Sequence, residues 1–209
     1  MHLIYNQIAG RSVDRLAALS DGVFAFAMTL LVLDLRVPAV ELVHSEHDLW
    51  RSLAALAPNL LTYLMSFMTL GIFWVGQQTQ LNKTQRSDRD LAWIHLAFLL
   101  AVTLIPFSTK LLAAFIVYRT ALVVYWLNIL ALGAALWWSW KYVRRARLLK
   151  EDAPADLDTL VMRRIGIAQA LYAFGALLCI FSTYLSIGFI ILVQINYAIA
   201  PRIGVLRRL

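Results

Sequence analysis

Asp21 is the residue with the clearest capacity for chemistry in this sequence, because it is a carboxylate inside an apolar segment. The segment reads DRLAALSDGVFAFAMTLLVLDL over residues 14–35, and twelve uncharged residues separate Asp21 from Asp34. Twelve residues are too few to cross a hydrocarbon core, which needs about 20. The segment therefore either does not span a membrane or spans it with Asp21 inside. An intramembrane carboxylate usually faces the interior of a helix bundle or a water-filled path, where it needs a partner.

Arg15 and three residues of a second apolar segment are the candidate partners of Asp21. Arg15 has the right charge, but six residues of separation put the two side chains about 120° apart around one helix, which disfavours a direct pair. The run GIFWVGQQTQL contains Trp74, Gln77 and Gln78. Trp74 shares a helix face with Gln77 or Gln78 and these residues carry indole and amide donors. An interfacial aromatic belt explains the same pattern, so both interpretations stay open.

Residues suited to catalysis or metal binding are sparse. Of the four histidines only His44 and His47 are close in sequence, and no cysteine or third histidine is near enough to complete a zinc site. The chain contains no G-x-S-x-G, H-E-x-x-H or glycine-rich phosphate loop. The single cysteine, Cys179, lies in an apolar run. We therefore predict that the protein is not an enzyme and has neither a cofactor nor a resident metal.

The elements that position these residues are predicted to be membrane-spanning helices. Of 209 residues 61% are hydrophobic and 15% are charged, and the mean hydropathy is +0.71, whereas soluble domains contain about 25% charged residues. Charge-free runs predict an all-α integral membrane protein with a single domain over residues 1–209 and six spans. The predicted spans are residues 14–36, 52–79, 90–112, 118–141, 163–182 and 186–204. The last two are expected to be joined by a turn within FSTYLSIG, residues 181–188.

The distribution of basic residues predicts which ends of the spans face the cytoplasm. With the N-terminus inside, 15 of the 19 Lys and Arg residues fall in cytoplasmic segments, which are the segments expected to be richer in them. Both termini are therefore expected in the cytoplasm. Topology and contacts with lipid headgroups also account for the isoelectric point near 9.9. We expect a lipid bilayer as partner, and no nucleic acid.

One apolar stripe of the first span has the spacing of a conduit lining. At about 100° per residue its members fall on one face, and Ser20 and Asp21 point away from that face. The stripe consists of Leu19, Gly22, Phe26, Thr29, Leu30, Leu33 and Val37. Leu and Phe at helical spacing also form ordinary subunit-packing surfaces. The spacing alone therefore leaves a pore and a packing surface as alternatives.

The sequence RLAALSD, residues 15–21, resembles the Arg-x-x-x-Phe-Ser-Asp signature of the transmembrane protein 175 potassium channels. The following GVFAFAMTLLVLDL is similar to the continuation in bacterial members, and IPFSTKLL resembles the Pro-Phe-Ser/Thr end of their third span. Leu19 stands where the signature has Phe, and Gln77 and Gln78 stand where bacterial members usually have a His pair. An amide can hydrogen-bond to Asp21 but cannot titrate as imidazole does, so no pH response is expected from this pair.

The resemblance implies a homotetramer of six-helix subunits whose first helices line a central, potassium-permeable pore. It also implies that five polar or aromatic residues anchor the first helix to its neighbours: Arg15, Ser20, Asp21, Trp74 and Gln77. The sequence has no Thr-Val-Gly-Tyr-Gly loop, so ion selection is not expected to use that carbonyl filter. A single six-span unit with short loops resembles prokaryotic members, which implies a prokaryotic plasma membrane.

The family's pattern, carried over residue by residue, implies an apolar constriction at Phe26, Leu30 and Leu33, with the Thr29 hydroxyl beside it. An apolar ring can close a pore by dewetting, and a threonine ring can offer oxygens to a partly dehydrated cation. Phe26 replaces a smaller aliphatic residue, so its ring could plug the pore, rotate aside or contact ions through its face. Asp34 is either part of an acidic ring at the outer mouth or a solvated helix end.

Two other classes of function remain open at the level of sequence. A carrier with alternating access could use Asp21 as a proton or cation site, although the chain lacks the duplicated halves of many transporters. A membrane scaffold that transports nothing would use Asp21 for structure only. A channel predicts downhill cation flux that responds to substitutions on the stripe. A carrier predicts saturable flux that Asp21→Asn abolishes, and a scaffold predicts no flux.

Overall fold

The described part of the protein is built from helices. The structure, a computed structural model, describes residues 12–151, 154 and 156–199. Over these residues the only β pairing is one isolated bridge between Thr84 and Leu149. The α-helices are α1 Val13–Leu31, α2 Glu46–Ala55, α3 Ala57–Asn82, α4 Arg89–Thr103, α5 Ile105–Ala114, α6 Arg119–Arg145, α7 Leu157–Leu177 and α8 Thr183–Ile199. Short 3-10 helices follow α1 at Val32–Asp34, precede α2 at Val40–Leu42 and follow α7 at Leu178–Ile180.

Five helical segments of the described chain are long and apolar enough to cross a membrane. They are Val13–Asp34, Ala57–Asn82, Arg89–Ala114, Arg119–Arg145 and Leu157–Ile180. The apolar helix α8 has 17 described residues, or about 25 Å of helix, which is shorter than a typical hydrocarbon core. The protein is thus an all-helical, multi-pass membrane protein, as predicted. Residues 200–204 of the predicted sixth span, and both termini, lie outside the described residues.

Prolines divide two of the apolar runs into separate helices. Pro58 stands in the first turn of α3, immediately after α2, and Pro106 stands in the first turn of α5, immediately after α4. Proline lacks the N–H that a helix interior requires but fits the first turn, where that N–H has no helical partner. The predicted second span at residues 52–79 therefore starts within α2, a short helix without buried residues.

The reversal between α7 and α8 is shorter than the predicted turn at 181–188. The 3-10 helix ends at Ile180 and α8 begins at Thr183, so Ser186 and Gly188 lie inside α8. Ser186 Oγ donates to the Gly175 carbonyl over 2.5 Å, which ties α8 back to α7. Arg119 Nη2 donates to the Ile180 carbonyl over 2.9 Å. These bonds give partners to the Ser186 hydroxyl and to the Ile180 carbonyl. α8 therefore continues through Ser186 and Gly188.

A buried cluster of hydroxyl and amide groups holds α3, α5, α6 and α8 together. The Tyr125 hydroxyl on α6 lies 2.9 Å from Thr69 Oγ1 and 3.2 Å from Ser66 Oγ, both on α3. Gln194 Nε2 on α8 donates to Thr69 Oγ1, and Thr109 Oγ1 on α5 donates to Ser66 Oγ, each over 2.7 Å. Lipid tails are as apolar as the helices, so interhelical hydrogen bonds and close packing replace the hydrophobic driving force of a soluble core.

The first helix lies at one side of this bundle. α1 packs against α3, α4 and α5, whereas α7 packs against α6 and α8. The contact side of α1 carries Phe24, Ala27 and Leu31, which belong to the apolar core. α3 therefore stands between α1 and the last two helices, and its two sides serve different parts of the subunit.

Candidate functional site

α1 has one face buried in the subunit and one face outside it. The buried residues are Leu16, Ser20, Phe24, Ala27 and Leu31. On the opposite side Phe26 and Leu33 expose 66% and 69% of their surface, and Leu30 is half-buried. The members of each set are three or four residues apart, so each set forms one side of the helix. Both sides are mainly apolar, but only one of them packs against the rest of the subunit. The stripe identified from the sequence is thus the face that its own subunit leaves uncovered.

The exposed face borders an open groove and carries one hydroxyl. Leu19, Phe26 and Leu30 line the α1 side of the groove, and Thr103 and Pro106 line the other side, at the break between α4 and α5. The groove contains about 840 Å³ of space free of protein atoms. Thr29 Oγ1 donates to the Phe26 carbonyl over 2.8 Å. Because that bond uses the hydroxyl proton, the oxygen keeps lone pairs that can accept or coordinate.

The buried face of α1 is fixed by a cluster of Ser20, Gln77 and His95. Ser20 Oγ lies 2.6 Å from His95 Nε2 on α4 and 2.9 Å from the Leu16 carbonyl. Gln77 Nε2 on α3 donates to Ser20 Oγ over 2.9 Å and lies 3.1 Å from His95 Nε2. All three polar side chains are almost completely buried. A polar group without a partner is costly in such surroundings, so the cluster fixes the contact of three helices.

Asp21 is held by two donors from α3. Trp74 Nε1 and Gln78 Nε2 each donate to Asp21 Oδ1 over 2.7 Å. Bonds to an ionised acceptor are short and stronger than neutral ones. The neighbouring glutamines thus have separate partners, because Gln78 reaches Asp21 and Gln77 reaches Ser20. Adjacent residues on a helix point about 100° apart, which accounts for the division.

Arg15 is the one predicted anchor whose side chain hydrogen-bonds to neither Asp21 nor Ser20 in the described part of the chain. The residue is exposed, and it lies on the same side of α1 as Phe26, at the end where the helix begins. Its backbone N–H donates to Ser12 Oγ, which caps the helix. Within the described part of the chain its guanidinium forms no ion pair and no hydrogen bond. Its predicted anchoring role therefore requires a group outside the described subunit.

Asp34 is paired with a cation at the other end of α1. Lys110 Nζ on α5 lies 3.2 Å from Asp34 Oδ1, and the two side chains are 63% and 20% exposed. This ion pair links the 3-10 helix that follows α1 to α5, which is the second part of the third span. An acidic ring at this end would consist of carboxylates that Lys110 already partly neutralises.

His95 is the member of the site that the sequence did not indicate. The sequence offers its histidines only as possible metal ligands, and the described residues contain no cluster of three His, Cys, Asp or Glu side chains that could hold a metal. A signal was present, because His95 lies on the buried stripe of α4 with Leu91, Phe98 and Val102. A histidine on a core stripe indicates a partner in the facing helix, and here that partner is Ser20.

Comparisons with known proteins identify relatives over most of the chain. Residues 15–106 match the family described as endosomal/lysosomal potassium channel TMEM175. The chain is 35% identical over 161 residues to a protein of Streptomyces collinus named as a potassium channel, which covers 73% of this chain and 76% of the relative. It is 32% identical over 189 residues to a potassium channel of Chamaesiphon minutus, covering 88% and 93% of the two chains.

A solved structure has the same fold. It is a crystal structure from Chamaesiphon minutus, described as a homologue of the lysosomal potassium-selective channel TMEM175. The two structures superpose with a TM-score of 0.78 at 30% identity, over 90% of this chain and 97% of the other. The similarity therefore extends from the first helix through the last two and is not confined to the signature sequence.

Proposed function

Since the chain belongs to the TMEM175 family, a family of ion channels and not of enzymes, we propose that it conducts potassium through a central pore lined by α1 of four identical subunits. Potassium as the ion follows from what its relatives are named for. We further propose a prokaryotic plasma membrane as its location, because the relatives that cover most of the chain are bacterial.

The observation that carries the proposed pore is the surface position of Asp21. Its carboxylate is exposed in the subunit even though Trp74 and Gln78 donate to it. Facing lipid hydrocarbon would be costly for a carboxylate, so this side of α1 requires a neighbouring subunit or water. The apolar stripe lies on a different side of α1 and is also left largely uncovered by the subunit. When copies of α1 surround an axis, the stripe faces the axis and Asp21 faces a neighbouring subunit.

The proposed constriction consists of Phe26, Leu30 and Leu33, which repeat around that axis. Apolar rings of this kind resist wetting and hold ion flow low until they widen. The Thr29 oxygens supply a polar layer at the same depth, with lone pairs that can replace part of a cation's hydration shell. The opposite face of α1 is fixed by buried hydrogen bonds, so the stripe keeps its direction toward the axis.

Ion flux from proteoliposomes tests the pore and its lining. We expect the wild-type protein to pass potassium faster than sodium under equal and opposite gradients. Phe26→Ala and Leu30→Ala should increase cation flux, because each removes part of an apolar barrier. A barrier lowered by about 1.4 kcal/mol corresponds to a tenfold change in rate. Leu192→Ala on α8 is the matched control, since Leu192 is 66% exposed but lies far along the chain from α1.

Other outcomes of the same experiment identify the alternatives. If flux responds to Leu192→Ala as strongly as to the two α1 variants, the ion does not pass along the stripe. If flux saturates as the gradient increases, shows no single-channel steps and is abolished by Asp21→Asn, the protein is a carrier. If no variant passes ions under any condition in which a known channel does, the scaffold function is the better explanation.

A further inference from the structure

A second groove lies on the side of the subunit that faces away from α1. It is formed by α3, α6 and α7, with Tyr197 of α8 at one end. Its α3 wall contains Ile72, Gly76 and Thr79, which lie on the opposite side of that helix from Trp74 and Gln78. If α1 surrounds a central axis, as in the proposed function, this groove opens toward the bilayer.

The groove is narrow and mostly apolar. It contains about 690 Å³ of space free of protein atoms, including space outside its mouth, and its walls include Val75, Leu136 and Ala168. Two glycines line it. A Cβ on Gly76 would stand 3.7 Å from Leu136 Cδ1, and a Cβ on Gly133 would overlap the Gln169 amide. This mostly apolar lining suits a hydrocarbon chain better than a polar ligand.

Basic residues stand at one end of the groove. Arg164 lines it, and its guanidinium lies 5.8 Å from the centre of the Tyr197 ring. Among the described residues Arg164 forms no ion pair, so its charge is free to meet an anion. Lys83 ends α3 one helical turn beyond Thr79 and is half-buried. Arg164 thus lines the groove itself, and Lys83 lies beyond the lining residues at the C-terminal end of α3.

We propose that this groove binds one anionic phospholipid, with an acyl chain along the apolar walls and the phosphate at Arg164. Basic pockets between membrane helices on the cytoplasmic side bind anionic headgroups, and the sequence predicts that this end is cytoplasmic. The guanidinium of Arg164 lies over the Tyr197 ring, and a long arginine side chain can hold its charge at the depth of the headgroups. A neighbouring subunit is the poorer occupant, because the groove faces away from α1.

Native mass spectrometry of the full-length protein tests the lipid site without using ion flux. Phosphatidylglycerol and phosphatidylcholine with identical acyl chains are added to wild type, Arg164→Gln and Arg163→Gln. Arg163 is the matched control, because it is the adjacent exposed arginine but does not line the groove. We expect wild type and Arg163→Gln to retain phosphatidylglycerol in preference to phosphatidylcholine. In Arg164→Gln the preference for phosphatidylglycerol over phosphatidylcholine should fall about fivefold, as expected for the loss of one basic residue near headgroups.

A second variant tests the apolar walls. Ala168→Phe should reduce retention of both lipids, because its ring occupies the space assigned to the acyl chain. The proposal is overturned if the two arginine variants behave alike, if wild type does not prefer the anionic lipid, or if Ala168→Phe retains lipid as wild type does. A channel without measurable flux would still give these binding results, so failure of the lipid site and failure of the pore are distinguishable.

Discussion

Neighbouring residues of α1 have different roles. Some attach the helix to its own subunit, and others face away from that subunit. Ser20 and Asp21 are neighbours in sequence, yet Ser20 is completely buried against His95 while Asp21 is exposed and held by Trp74 and Gln78. Replacing His by Gln, as the family resemblance indicates for position 78, keeps the donor to Asp21 and removes the titratable ring at that position. The contact at Asp21 therefore does not depend on the charge of its α3 partner.

Asp21→Asn is expected to weaken the attachment of α1 to α3. The amide oxygen can still accept from Trp74 and Gln78, but bonds to a neutral acceptor are weaker than bonds to a carboxylate. We expect a loss of about 1–2 kcal/mol, seen as a lower midpoint of thermal unfolding in detergent. Asp156→Asn, at an exposed residue before α7, should leave the midpoint unchanged. Equal midpoints for both variants would contradict the role assigned to Asp21.

Lys110→Gln tests whether Asp34 lies near the ion path. Without its cation Asp34 would add negative charge at that end of the proposed pore, and potassium conductance should rise at low ionic strength. The increase should fade near 1 M salt, where the Debye length is about 3 Å. Arg51→Gln removes an exposed cation from α2 and should have no such effect. A Lys110→Gln channel with wild-type conductance at low salt would place Asp34 away from the path.

At the scale of elements, α3 is shared between two surfaces. One side of it supplies Trp74, Gln77 and Gln78 to α1, and the other forms a wall of the groove with α6 and α7. Between these sides, Ser66 and Thr69 join the buried cluster around Tyr125. α3 therefore connects the proposed pore lining with the outer helices, and Gly133 on α6 lets Gln169 of α7 approach closely.

Gly133→Ala is expected to disturb the contact of α6 with α7. The added methyl would overlap the Gln169 amide, which lies across Gly133. Because the overlapped atoms form the end of a flexible side chain that can turn aside, we expect a cost near the low end of the about 1–3 kcal/mol of core overpacking, seen as a small fall in the thermal midpoint. Gly166→Ala is the matched control, since nothing lies within 4 Å of its Cβ position. If Gln169→Ala in the same chain does not recover part of the loss, the overlap is not its cause.

At the scale of the whole molecule, the subunit leaves much apolar surface to be covered. Only 28% of the first span's most apolar window is buried inside the subunit, compared with 44% for the third and fourth spans. Lipid can cover apolar surface, but it cannot cover the Asp21 carboxylate at low cost. The exposed side of α1 therefore favours assembly of several copies, whereas α7, with 22% buried, is suited to face lipid.

Gly22→Phe is expected to break the assembly without unfolding the subunit. Nothing lies within 4 Å of a Cβ at Gly22, and the residue is on the exposed stripe. We expect wild type to have a native mass of four 23.7 kDa chains, and Gly22→Phe to shift toward smaller species with unchanged helix content by circular dichroism. Gly188→Phe on α8, also without neighbours, should stay tetrameric. A wild-type monomer would contradict the proposed pore.

The sequence by itself determined the membrane class, the family and the direction of the α1 stripe. Spans follow from the length of charge-free runs, and the faces of one helix follow from a rotation of 100° per residue, so both are local properties. The tertiary structure alone decided which residues on different helices meet. It paired Ser20 with His95 and Asp34 with Lys110, separated the partners of Gln77 and Gln78, and placed Arg164 at a groove. Such contacts depend on the rotation and packing of whole helices against one another, which no single segment contains.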